Sequence, residues 1–298
     1  MPHLTRRRLA LALGGLPLLT ALPGTARDLT EAPQDALSRA LPAIERRLDA
    51  RLGVHVLDTQ TGRQWAHRAH ERFPMCSTFK LLACAAVLAR VDAGAEDLDR
   101  RIRFGAGDLV TYSPVTGPHA DGAGLRLAEL CEAAMTHSDN TAANLILRSL
   151  GGPAAVTAFA RSLGDGTTRL DRWETALNEA RPGDARDTTS PAAMGGNLHA
   201  LLLGRHLGSA SREQLTRWLL DNRTGDARLR AGLPAAWRIG DKTGSGDFGT
   251  ANDVAVIWPP GRAPVIASVY ITQAGASFEA RNAAIADIAR QLPEVLMG

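Results

Sequence analysis

Strand-like segments lie only near the two ends of this 298-residue chain, with a long helical stretch between them. Leu37, Leu41, Ile44, Leu48 and Leu52 recur at spacings of three to four, the period of an amphipathic helix. The run Gly53 to Leu57, a turn from Asp58 to Gly62 and a short strand around Trp65 then read as a β-hairpin. Strands return only after Pro234, at Ala236 to Asp241, Asn252 to Trp258 and Val265 to Thr272. Pro259-Pro260-Gly261 makes the turn between the last two. Ser277 then caps a final helix through Ile285, Ile288 and Leu292. This distribution predicts an α/β fold: one antiparallel sheet built from both chain ends, flanked by helices, with an all-helical lobe inserted. The expected boundaries are 27–75 and 221–298 for the α/β lobe and 76–220 for the helical lobe.

Within the helical part, Leu125 to His137 and Thr141 to Leu150 read as helices, the second stopped by Gly151-Gly152. Ser190-Pro191 has the hydroxyl-then-proline order of a helix start. One long charged loop, 169–187, interrupts the pattern. Loops of that length are usually functional or disordered. Trp173 and Leu177 give this one something to bury, so it is expected to be ordered.

The first 26 residues carry Arg6, Arg7 and Arg8 and no acid, followed by an apolar run from Leu9 to Leu22 and small residues around Ala26. That is the composition of a cleaved export signal, and the consecutive arginines also allow a twin-arginine signal. The run is short and broken by Gly14, Gly15, Pro17 and Pro23, so it is not read as a membrane span. Removing those three arginines from a formal charge of +3 leaves a chain near neutrality. No basic stripe interleaves with aromatics, which argues against nucleic-acid binding. The mature chain is therefore expected to be a periplasmic or secreted monomer without stable membrane association. Three cysteines, Cys76, Cys84 and Cys131, allow three pairings with one thiol left over. The histidines show no metal-ligand spacing, and no metal or cofactor is expected.

Chemistry concentrates in four clusters. Ser77 opens an apolar run with Lys80 one turn on, so the two side chains share a face. A lysine among apolar neighbours gives up its charge more readily and can take the proton of a serine nucleophile. Ser138-Asp139-Asn140 lies in a turn between two helices, and Lys242-Thr243-Gly244 at the end of a strand. Glu174 and Asn178, four apart in the long loop, meet if the chain makes one helical turn there. Singly, each is an ordinary cap, strand end or solvated loop residue.

Together, in this order, they resemble the class A serine β-lactamases, for which S-x-x-K, S-D-N and K-T-G are a known set. Thr111-Tyr112-Ser113-Pro114-Val115-Thr116, Leu170 to Glu174, Leu177 to Ala180 and Arg186 to Thr189 extend the resemblance over nearly the whole mature chain. It implies hydrolysis of penicillins and cephalosporins through an acyl-enzyme on Ser77. Lys80, or Glu174 through a water, would take its proton. Ser138 would relay a proton to the lactam nitrogen beside Lys242, and Asn140 would bind the acylamino side chain. Glu174 with Asn178 would hold the hydrolytic water, Tyr112 would wall the cleft, and Thr243 and Ser245 would face the substrate carboxylate. Many members carry an arginine shortly after K-T-G. Here none stands between Asp247 and Asn252, and the resemblance turns to Arg228 for that charge. It also implies a Cys84–Cys131 bridge, while Gly246 excludes the Cys76 bridge of the carbapenem-hydrolysing branch. Thr175 stands where proline is frequent, after a bond that the family often holds cis. Arg172 and Asp187 are the expected anchor of the loop. Two rivals share the acylation machinery: a D-Ala-D-Ala transpeptidase or carboxypeptidase, and a β-lactam sensor that stays acylated. Both lack the Glu174/Asn178 pair.

Overall fold

The computed structural model describes residues 35–297, which belong to one compact unit. The proposed export signal lies outside the described residues. Helix α1 (Ala36–Leu48) starts at Asp35, whose carboxylate accepts from the Ser38 amide at 2.8 Å, and buries the expected Leu37, Leu41, Ile44 and Leu48. Strands β1 (Arg51–Asp58) and β2 (Gln64–His67) form the hairpin. The central segments are β3 (Phe73–Pro74), α2 (Phe79–Asp92), β4 (Arg101–Ile102), β5 (Leu125–Arg126), α3 (Leu127–Thr136), α4 (Asn140–Leu150), α5 (Pro153–Ser162), β6 (Thr188–Thr189), α6 (Pro191–Leu202) and α7 (Ser209–Leu220). The chain ends with α8 (Leu229–Gly232), β7 (Arg238–Gly246), β8 (Thr250–Trp258), β9 (Val265–Thr272), α9 (Phe278–Arg290) and α10 (Leu292–Met297).

The sheet is antiparallel throughout its five strands, in the order β2-β1-β9-β8-β7, so β1 from one end of the chain pairs with β9 from the other. Strands β8 and β9 are buried along almost their whole length because helices cover both faces. On one face, α1 and α9 pack Leu41, Ile44, Ile285 and Ile288 against Val54, Val269 and Ile271. On the other, Val256, Ile266 and Tyr270 join a second core that runs into the helical segments. Helix α2 is the axis of that second core: every residue from Phe79 to Leu88 is buried.

Three boundaries differ from the sequence reading. Strand β7 runs on through Lys242-Thr243-Gly244 to Gly246, so the motif lies within the strand and not at its end. Leu125 and Arg126 form a short ribbon with Arg101 and Ile102, and helix α3 begins only at Leu127. Leu292 opens a separate short helix, since α9 ends at Arg290.

A buried histidine sets up a pH dependence of stability. His55 projects from β1 against Gly195 of α6, where a Cβ would come within 2.7 Å of its Nδ1. Its Nε2 meets the Gln64 side chain at 3.0 Å, and Nδ1 has no partner. Burial first, then the charge of His70, holds its pKa below the ordinary value, against the Gln64 hydrogen bond. The fold thus prefers neutral His55, and its contribution is present above the unfolded value near 6.5 and lost as pH falls below it. Urea unfolding at pH 7 and pH 5 should show a loss of at most about 1.4 kcal/mol per pH unit from this group. The loss should shrink in His55→Gln. An identical pH slope in that variant would assign the effect elsewhere.

Candidate active site

The nucleophile's position is set by a left-handed residue. Cys76 has φ 44°, and it places Ser77 in a single 3-10 turn ahead of α2. Met75 is pinned around it: its amide donates to the Asp187 carbonyl at 2.9 Å, and its carbonyl accepts from Thr78 Oγ1 and Asn252 Nδ2. Strand β7 crosses here at Gly244, where a Cβ would lie 2.7 Å from the Met75 carbonyl oxygen and 3.2 Å from the Ser77 amide. Only glycine allows that approach, which brings the Ser77 and Ser245 backbones together.

Lys80 is the hub. It is fully buried, and its Nζ lies 2.9 Å from Ser77 Oγ, 2.8 Å from the Ser138 carbonyl, 2.7 Å from Asn140 Oδ1 and 3.0 Å from Glu174 Oε1. Ser77 Oγ stands 3.5 Å from Glu174 Oε1, at the outer limit of a hydrogen bond. Ser138 Oγ receives both lysines, Lys80 at 3.3 Å and Lys242 at 3.2 Å. Burial first, and the neighbouring Lys80 charge second, pull the Lys242 pKa down to about 7. It can therefore exchange a proton near neutral pH.

The flanking loops are held by side chains aimed at backbone. Asp139 caps α4 through the Ala142 amide and also accepts from the Val115 and Thr116 amides, which ties the Tyr112 loop to the Ser138 turn. Asn140 donates to the Thr111 carbonyl at 2.8 Å, and Tyr112 stands 57% exposed at the rim. The long loop is ordered. Arg172 Nε pairs with buried Asp187 at 2.6 Å, and Asp187 also accepts from the Asp171 and Arg172 amides. One turn at Ala176–Glu179 brings Asn178 Nδ2 within 2.5 Å of Glu174 Oε2. The Glu174–Thr175 peptide is cis. The sequence reading missed Asn144, on α4, whose amide group bonds both the N–H and the C=O of Glu174 at 2.9 Å. A single polar residue on a helix carries no signal of such a role.

A cleft of about 350 Å³ opens above these groups. Ser77, Tyr112, Ser138, Asn140, Asn178, Thr243, Ser245 and Arg228 line it, while Lys80, Glu174 and Lys242 lie beneath within hydrogen-bond reach. All eleven expected site residues thus converge. Arg228 is buried and donates to the Gly244 and Asn252 carbonyls, to Ser245 Oγ at 2.7 Å and to Asn282 Oδ1 at 2.9 Å. Burial lowers its pKa, and the Asp253 and Asp241 carboxyls oppose that shift. The structure does not show the expected Cys84–Cys131 bridge. Both residues are buried thiols in contact with each other, and Cys84 Sγ also lies 3.8 Å from the Cys131 carbonyl oxygen. Among the described residues no cluster of His, Cys, Asp or Glu has metal-site geometry. None of their helices is long and apolar enough to cross a membrane.

A buried serine–lysine pair, a second serine–lysine pair and a carboxylate–amide pair around one cleft define a serine acyl-transfer enzyme. The family model described as "Beta-lactamase enzyme family" matches residues 36–296. A β-lactamase of Streptomyces fradiae is 52% identical, with 97% of this chain and 96% of that protein covered. The β-lactamase AST-1 of Nocardia asteroides is 48% identical, covering 98% and 96%. An ancestral class A β-lactamase of solved structure shares 63% identity at a TM-score of 0.86, covering 87% of this chain and 99% of that one. The chain belongs to the class A β-lactamases: it hydrolyses the β-lactam ring, the reaction by which these enzymes confer resistance to β-lactam antibiotics.

Proposed function

We propose that this enzyme is exported, acts as a monomer on penicillins and cephalosporins, and divides its two chemical steps between Lys80 and Glu174. The observation that carries the reading is the fan of contacts at Lys80 Nζ, which touches the nucleophile, the carboxylate, the Ser138 carbonyl and Asn140 Oδ1 at 2.7–3.0 Å. Passing a proton from the ammonium to Glu174 leaves an amine 2.9 Å from Ser77 Oγ. Ser77 then attacks the lactam carbonyl, its proton moves to Lys80, and the negative oxygen sits against the Ser77 and Ser245 amides. One such donor is typically worth about 3 kcal/mol. The lactam C–N bond breaks as Ser138 protonates the nitrogen and is reprotonated from the lysines. Before the second step Glu174 hands its proton back to Lys80 across their 3.0 Å contact. Water then adds to the ester, Glu174 takes its proton, and Ser77 leaves with a proton returned through Lys80. Asn178 anchors that water and Asn140 the acylamino group.

Arg228, with Thr243 and Ser245, supplies the site for the substrate carboxylate. A lost charge-assisted hydrogen bond is worth about 1.5–3 kcal/mol, so Arg228→Ala should lower kcat/KM by about 10–100-fold, chiefly through KM. Because the guanidinium is buried and holds two backbone carbonyls, the substitution should also cost about 1–3 kcal/mol of stability. Steady-state kinetics with one penicillin checks the assignment. An unchanged kcat/KM in a folded variant would remove Arg228 from the binding site.

A further inference from the structure

Phe278 is the first residue of α9, held there by the Ser277 cap, whose hydroxyl accepts from the Ala280 amide at 3.2 Å. Its ring is 45% exposed, an unfavourable place for a large apolar group, and it lines the same cleft as Ser77. Two guanidinium carbons stand over the ring, that of Arg228 at 5.6 Å and that of Arg281 at 5.7 Å from its centre. Both distances are within cation–π range, and together they fix the ring as a platform. Tyr112 is the other exposed aromatic of the cleft. Phe278 is therefore an apolar surface kept beside a buried positive charge in an otherwise polar cleft.

We propose that Phe278 is a specificity-determining residue. The exposed part of its ring receives the substituent that flanks the carboxylate on the fused ring of the substrate. This rests on the reading of Arg228 as the carboxylate partner. In bicyclic β-lactams the carboxylate is carried by the carbon attached to the lactam nitrogen, and the next ring atom bears the neighbouring substituent. With the carboxylate at Arg228, that substituent falls within a few ångströms of the Phe278 ring. In cephalosporins this group varies from a methyl to an extended aryl, so the ring grades substrates by the apolar area they place there. Aromatic contacts of this kind are worth about 3–10-fold in an equilibrium.

The test uses purified enzyme and two cephalosporins with the same acylamino side chain, one bearing a methyl and the other an arylvinyl group beside the carboxylate. Phe278→Ala should lower kcat/KM for the arylvinyl substrate about 3–10-fold, mainly through KM, and change the methyl substrate less than about 2-fold. Phe278→Tyr should restore the difference, and thermal unfolding of each variant controls for folding. Equal losses on both substrates would mean that the ring only braces Arg228, and no loss on either would mean that it touches neither. Both results overturn the proposal. Arg228→Ala on the same pair tests the carboxylate reading separately. It should depress both substrates alike, and a failure there leaves the Phe278 contrast readable in the parent background.

Discussion

Glu174→Gln is expected to arrest the reaction halfway, leaving a covalent drug–enzyme adduct on Ser77. The reason is that the carboxylate serves the two steps unequally. Ser77 Oγ is 2.9 Å from Lys80 and 3.5 Å from Glu174, so attack on the lactam has its nearer base in the lysine. The hydrolytic water has no such alternative. It must meet a proton acceptor facing the ester, and Glu174 with Asn178 is the carboxylate–amide pair of the cleft. General-base help is worth about 100–10,000-fold, so deacylation should fall by that factor. Acylation should slow by less, because an amine buried without its paired carboxylate favours the uncharged form, and the lysine still reaches Ser77 Oγ. Glutamine keeps the size of the side chain and its reach to Asn178, so the loop should stay folded. Intact-mass spectrometry after mixing with a penicillin should show protein plus one drug for minutes or longer, and Ser77→Ala should show none. Turnover by Glu174→Gln at the parental rate would sink the assignment of the water.

The sequence made the chemistry more legible than the frame around it. Ser77, Lys80, Ser138 and Lys242 sit in short motifs because a proton relay needs fixed residue types at fixed spacing, and such spacing survives in one dimension. Val265–Thr272 was equally plain, since an unbroken apolar run between turn residues leaves a buried strand as the simple choice. The end of β7 was not. Gly244 and Gly246 have poor strand propensity, and what keeps them extended is pairing with Asn252 and Thr250 on β8. Asn144 and Asn282 carry no local pattern, because their roles come from partners 30 or more residues away, and Phe278 gains its setting only when the equally distant Arg228 joins the neighbouring Arg281 over its ring. The cysteine spacing is legible as far as neighbourhood goes: Cys84 on α2 and Cys131 on α3 are buried with their thiols in contact.

Lys80→Ala should strike the first step as hard as Glu174→Gln strikes the second. The lysine is fully buried, so alanine removes the only amine within reach of Ser77 Oγ among the described residues and leaves Glu174, Asn140 and the Ser138 carbonyl without their shared donor. Acylation should drop by about 1,000–10,000-fold, the upper range of general-base catalysis. Deacylation should fall as well, because the proton returning to Ser77 passes through the same nitrogen. Pre-steady-state mixing with a chromogenic cephalosporin separates the steps. The parent should turn over without accumulating adduct, Glu174→Gln should give one burst and stop, and Lys80→Ala should give neither burst nor turnover on that timescale. The pH dependence adds a second constraint. With the Lys242 pKa near 7, its charged form fades above neutrality, so the parental KM for an anionic substrate should rise between pH 7 and pH 9. If Lys80→Ala acylated as fast as the parent, the proton of Ser77 would have to leave through Glu174 across the 3.5 Å gap, and the division of labour between lysine and carboxylate would be reversed.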